Sequence, residues 1–189
     1  MSDLQSLYQQ IILDHAKYRH GASPVPLTPD DELWETDDTH IGESHQINTS
    51  CGDDVTVRLS ITIDEAGYDA VGLDPIGLEL GVISPDEMIA ALRANMTVSS
   101  LTWHGDGCSI SMASASVMFD TLNGLPYTEA VAVLENFREM LRSRGTIEPD
   151  EEVLGDAAAF GGVSRYPARV KCAMLPWVAF EAALADAQK

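Results

Sequence analysis

Between Asp54 and Ile63 every second residue is apolar: Val55, Val57, Leu59, Ile61 and Ile63. A period of two sustained over that length predicts a half-buried strand over 54–63. Upstream the period changes. Leu4, Leu7, Tyr8, Ile11, Ile12 and His15 fall at i, i+3 and i+4 spacing, which predicts an amphipathic helix over 2–19 with one face inward. Ser2 with Gln5 suits a capping box, and Gly21 suits a stop. His15 lies on or near the buried face, where a structural histidine with satisfied hydrogen bonds is a simpler reading than a ligand.

Residues 21–44 hold Pro24, Pro26 and Pro29 and a run of acids, including Asp30, Asp31, Glu32, Glu35, Asp37 and Asp38. That composition predicts an exposed acidic loop, and Glu43–Asn48 predicts a weakly patterned first strand. After 54–63, a turn over 64–67 leads to a further extended piece over 69–73. Ser84, Pro85 and Glu87 place a cap, an N1 proline and a capping-box acid at the head of a helix over 85–95. Extended chain follows over 97–103. Helices are expected over 109–123, 128–144, 149–159 and 167–187. Strands come first and helices mostly later, with hairpin-length links. This order implies one α+β domain over 1–189, with a small, mostly antiparallel sheet and helices packed on one face.

Charge narrows the partners. The chain has 189 residues with 11 Lys and Arg against 30 Asp and Glu, a formal net charge of −19. Such a surface repels phosphate backbones and anionic lipid heads, so neither nucleic acid nor membrane is expected as a partner. There is no apolar run of the roughly 18–20 residues that would cross a bilayer. The start, "MSDLQSLYQQ", lacks the basic and apolar segments of a signal peptide, so a cytoplasmic location is expected.

Three cysteines bear the chemistry. Cys51 sits at a glycine turn just before a strand. Cys108 follows Gly105-Asp106-Gly107 at a helix start, and Cys172 falls in the first turns of the last helix. An odd count without an export signal argues against a disulfide framework, although small buried cysteines are common. Helix starts and glycine turns lower thiol pKa values. Three thiolates with Asp53 are a donor set that tetrahedral zinc accepts; Arg169 and Lys171, close to Cys172, either offset its negative charge or line a solvated helix face. There is no CxxC pair, so spacing alone is a weak metal signal. His104, four residues before Cys108, is a candidate neighbour of that thiol.

Four stretches, "LYQQIILDH", "HQINTSCGDD", "GDGCSISMASAS" and "GVSRYPARVKCAMLPW", resemble in order the SufU proteins of iron–sulfur cluster biogenesis, in the IscU-like superfamily. The resemblance implies a three-stranded sheet and a zinc ion held by Cys51, Asp53, Cys108 and Cys172. It implies that Cys51 receives persulfide sulfur from a SufS-type, pyridoxal-phosphate cysteine desulfurase and passes it to downstream Suf assembly proteins. The arginine matching Arg169 lies beside the metal in that family and assists ligand exchange. The alternative within the superfamily is an IscU-like scaffold, with iron or an iron–sulfur cluster at the same ligands. IscU proteins carry a histidine just before the last cysteine, where this chain has Lys171, which favours the sulfur-acceptor reading. Against the family pattern, residues 69–100 form an insertion with a short helix. Pro176 predicts a kink or opened turn four residues after Cys172, because proline removes the N–H that would bond its carbonyl.

Overall fold

The computed structural model describes residues 3–27, 39–64 and 84–189. The alternating run becomes β2 (Asp53–Ile63), the central strand of a three-stranded antiparallel sheet. On one side it pairs with β1 (Thr39–Asn48), from Thr39 opposite Thr62 to Asn48 opposite Asp53. On the other it pairs with β3 (Met96–Asp106), with an irregularity between Ser60 and Ile61. Val55, Val57, Leu59 and Ile61 are fully or almost fully buried on the helix-facing side, as the period of two requires.

β1 begins four residues before the position that the sequence suggests, so residues 39–44 belong to the sheet and not to the acidic loop. Its only buried residue is Gly42. An edge strand with a single buried position carries no apolar alternation to read; pairing with β2 defines it. Residues 28–38 of that loop and the extended piece expected over 69–73 lie outside the described residues, as does the Ser2 cap.

The helices are α1 (Asp3–Tyr18), α2 (Pro85–Ala94), α3 (Ser109–Leu122), α4 (Tyr127–Arg142), the short α5 (Glu151–Leu154) and α6 (Pro167–Asp186). α2 starts as predicted: Ser84 Oγ accepts from Glu87 N–H, and the Glu87 carboxylate accepts from Ser84 N–H at 2.8 Å. α5 makes a single turn, and a 3-10 segment over Gly155–Arg165 follows it where the sequence suggested one helix to residue 159. Ala157, Ala158 and Phe160 of that segment are buried, so core packing has overridden local propensity.

α6 and α3 lie against the sheet and against each other. Trp177 of α6 stacks on Phe137 of α4 with ring centroids 4.1 Å apart, and Phe160 meets Phe137 edge-on at 5.8 Å. Trp103 of β3 is fully buried, and its indole N–H donates to the His20 carbonyl at 2.8 Å. One hydrophobic cluster joins β2, β3, α3, α4, α6 and the 3-10 segment. Among the described residues no helix is long and apolar enough to cross a membrane.

Candidate metal centre

The β1–β2 hairpin turns through residues 49–52. Asn48 organises it: its carbonyl accepts from the N–H groups of Cys51 and Gly52 at 3.2 and 2.8 Å, and its Oδ1 accepts from Ser50 N–H at 3.1 Å. Gly52 has φ +80° with open space around it, a left-handed conformation that glycine adopts without strain. The turn holds Cys51 out to solvent while Asp53, two residues on, enters the sheet and is only 3% exposed.

A buried carboxylate must be hydrogen-bonded, and Asp53 is. Its Oδ1 accepts from Cys108 N–H at 2.9 Å, and its Oδ2 accepts from Ser111 Oγ–H at 2.7 Å. Burial pushes its pKa up, but the Ser111 and Cys108 bonds, with the Cys51 and Cys172 thiols, outweigh it and hold the group at about 2. Gly107 is required for this approach, because a Cβ there would lie 2.8 Å from the Asp53 carboxyl carbon. Cys108 is the N-cap of α3 and makes no side-chain cap bond, so its thiol is not committed to the helix end.

Cys172 comes from the second turn of α6 and is buried. Its Sγ lies 3.8 Å from Cys51 Sγ and 3.9 Å from Asn48 Nδ2. Burial, then hydrogen bonding to Asp53 and the Cys108 and Cys51 thiols, pushes the Cys172 thiol well above the usual range.

The donor atoms of Cys51, Asp53 and Cys172 all lie within 4.8 Å of one another. Two sulfurs bound tetrahedrally at ~2.3 Å are about 3.8 Å apart, so the Cys51–Cys172 spacing is that of a zinc tetrahedron's edge. The three donors therefore fit a zinc ion. The Cys108 thiol is exposed and outside this group of three, though near enough to raise the Cys172 pKa.

Arg169 is exposed, one turn before Cys172, with its guanidinium 4.9 Å over the Tyr166 ring. Lys171 is also exposed. His104 Nδ1 faces the Ser23 carbonyl at 3.2 Å. His15 is buried and bonded through both ring nitrogens, to Ser116 and Asp156.

Pro176 sits within α6, whose helical assignment continues through it. The carbonyl that it leaves without a helical N–H, that of Cys172, lies 3.1 Å from Ser111 Oγ and shares its single hydroxyl proton with Asp53, and the next, Ala173, accepts from Ser114 Oγ at 2.6 Å. The opened hydrogen bond is thus filled from α3. Sequence reasoning missed Ser111, Ser114, Gly107 and Asn48 as supports. For Ser111 a signal existed: it is three residues after Cys108, one turn along the same helix face.

Fold and donor set together define a small α+β protein with a sulfur-rich, metal-competent centre at one end of its sheet. The chain belongs to the NifU-like N terminal domain family, which residues 83–173 match. It is 30% identical over 185 residues to the zinc-dependent sulfurtransferase SufU of Bacillus subtilis (strain 168), covering 97% of this chain and 93% of that protein. It is 27% identical to the iron–sulfur cluster assembly scaffold protein IscU of Streptococcus pyogenes serotype M1, covering 97% and 86%. The crystal structure of FiSufU from Fervidobacterium islandicum AW-1, named as an iron–sulfur cluster assembly scaffold of the SUF system, is similar with a TM-score of 0.56. Its identity is 27%, with 95% of this chain and 98% of that one covered.

Proposed function

We propose that this protein is a zinc-dependent sulfurtransferase of iron–sulfur cluster assembly, which accepts sulfur on Cys51 from a SufS-type cysteine desulfurase. The observation that carries the reading is the contrast between two thiols 3.8 Å apart, one exposed on a glycine turn and one buried. The metal ligands in this reading are Cys51, Asp53, Cys108 and Cys172. When bound, zinc would keep these thiols deprotonated at neutral pH and damp the nucleophilicity of Cys51 until ligand exchange frees it.

The chain's residues divide the work. Cys172 and Asp53 are buried and fixed by Asn48, Ser111 and the Cys108 N–H, so they stay in place when Cys51 moves. Cys51, on its exposed turn, reaches a persulfide presented from outside. Its thiolate attacks the terminal sulfur of the donor; the new bond forms to Cys51, the donor S–S bond breaks, and the donor cysteine leaves as a thiolate. Arg169, one turn from Cys172 and stacked on Tyr166, presents a fixed positive charge, with Lys171 exposed nearby. It assists the exchange at Cys51 and meets the anionic persulfide. The product passes its sulfur to downstream Suf assembly proteins.

The likeness to IscU supports a second reading, a scaffold holding iron or an iron–sulfur cluster at the same ligands. Lys171 weighs against it, since an ammonium group is a poor cluster ligand beside Cys172. Desulfurase turnover measured with zinc-loaded protein and with Cys51→Ala separates the two. Stimulation by the first and none by the second is expected. No stimulation by either, together with a stable reconstituted cluster, would establish the scaffold instead.

A further inference from the structure

A second group of ligand-type side chains lies towards the other end of α3. His15 comes from the last turn of α1, His20 from the turn after it, and Asp120 from α3. One donor atom from each lies within 4.8 Å of the others, and the two imidazole rings are 5.2 Å apart. Asp120 is twelve residues beyond Cys108, roughly 18 Å along a helix, so this group is separate from the thiol cluster.

The hydrogen bonds around it set the tautomer of His15. Ser116 Oγ accepts from the His20 N–H at 2.9 Å and lies 2.9 Å from His15 Nδ1. His15 Nε2 lies 3.2 Å from Asp156 Oδ2. A carboxylate only accepts, so the ring proton sits on Nε2 and the lone pair of Nδ1 faces Ser116 and the group, with Asp120 Oδ2 3.9 Å away. A buried imidazole oriented by a carboxylate on its far nitrogen is how metal-binding histidines are held. On the solvent side, His20 Nδ1 is hydrogen-bonded to Asp120 Oδ2, and both side chains are partly exposed. An ion can enter there without the core opening.

We propose that His15 Nδ1, His20 Nδ1 and Asp120 form a second divalent-cation site, which clamps the end of α1 to α3. The cation takes the place of the proton between His20 Nδ1 and Asp120, which a protonated ring gives up to solvent and a neutral ring moves to Nε2. The Ser116 side chain turns away from His15 Nδ1 and opens that lone pair to the ion. Two imidazoles and a carboxylate, without sulfur, suit zinc, cobalt or nickel and disfavour Cu(I) and the hard cations magnesium and calcium. Three protein ligands leave a position for water. A net charge of −19 raises the local concentration of any cation.

Cobalt(II) titration of the full chain tests this, because thiolate ligation gives an intense sulfur-to-cobalt band that imidazole and carboxylate do not. Two equivalents are expected in the wild type, one with the sulfur band and one without. The Cys51→Ser/Cys172→Ser double variant should keep the equivalent that lacks the band. His20→Ala and Asp120→Asn, both at exposed positions, should each weaken that equivalent at least about tenfold and leave the sulfur band intact. Absence of a band-free equivalent in the wild type and the double variant would overturn the proposal. So would a band-free equivalent that both His20→Ala and Asp120→Asn bind as tightly as the wild type.

Discussion

The two donor clusters along α3 differ in what surrounds them. At the start of the helix, the Cys51–Asp53–Cys172 group is anchored by a buried carboxylate and serine, and its one exposed member stands on a glycine turn. Further along, the group of His15, His20 and Asp120 is anchored by a buried imidazole, and its exposed members are a histidine and an aspartate. Each has a rigid inner side and an open outer side. In the first cluster the outer group is a nucleophile, whose exposure allows chemistry. In the second, as proposed, the outer groups would only bind, so exposure would allow exchange of an ion. Ligand type, not the architecture of the anchor, separates a reactive centre from a clamp.

The largest effect expected is at Cys51. Cys51→Ala should reduce sulfur acceptance to background in a desulfurase assay. Because the side chain is exposed, stability of the metal-free protein should change by no more than about 0.5 kcal/mol, measured by denaturant unfolding. Metal bound by the imidazole cluster should be unaffected.

Next come the supports of Asp53. Ser111→Ala removes its Oδ2 donor, and Gly107→Ala places a methyl 2.8 Å from its carboxyl carbon. Each should lower zinc affinity at the thiol cluster by about 10–100-fold, read by competition with a chromophoric chelator. The cobalt equivalent at the imidazole cluster should bind as before.

In the zinc-free protein, pH should report the same anchor from two sides. Asp53 has a folded pKa of about 2, below its ordinary value of 3.8, so its stabilising contribution is complete above pH ~4 and is lost as pH falls toward 2. The Cys172 thiol is raised, so its contribution is complete below the unfolded thiol pKa and is lost as pH rises above about 9. Asp53→Asn should flatten the acid limb and Cys172→Ala the alkaline limb of a stability–pH profile.

The smallest effect concerns Pro176. Pro176→Ala returns an N–H to the Cys172 carbonyl and leaves the Ser111 hydroxyl to Asp53 alone. A double-mutant cycle of zinc affinity between Ser111→Ala and Pro176→Ala should give a coupling of about 1 kcal/mol, and none if the serine acts on Asp53 only.

Much of this fold could be read from residue order because its signals are local. The alternation of β2, the capping box at Ser84 and the amphipathic face of α4 each point to one structure, and that structure forms. β1 was only half legible, since an edge strand of His, Glu, Ser and Gln buries only Gly42 and depends on its neighbour for definition. The 3-10 segment after α5 is set by how Ala157, Ala158 and Phe160 fit the core, which no local period encodes. At the site, turns and a helix start drew attention to Cys51, Cys108 and Cys172. Spacing placed Ser111 on the Cys108 face of its helix, but the partners of Ser111 and Asn48 were not legible, because each bond spans more than fifty residues: Ser111 to Asp53, Asn48 to Cys172. The relation of His15 to Asp120 and Asp156 is hidden for the same reason, so the sequence ranks a structural role for His15 above a ligand role.

The central claim is that Cys51 carries the transferred sulfur. Incubating the zinc-loaded protein with a cysteine desulfurase and cysteine, then alkylating and mapping peptides by mass spectrometry, measures this directly. One added sulfur atom is expected on the Cys51 peptide and none on those of Cys108 and Cys172. Sulfur recovered on another cysteine, or an unmodified Cys51 while the desulfurase turns over, would contradict it.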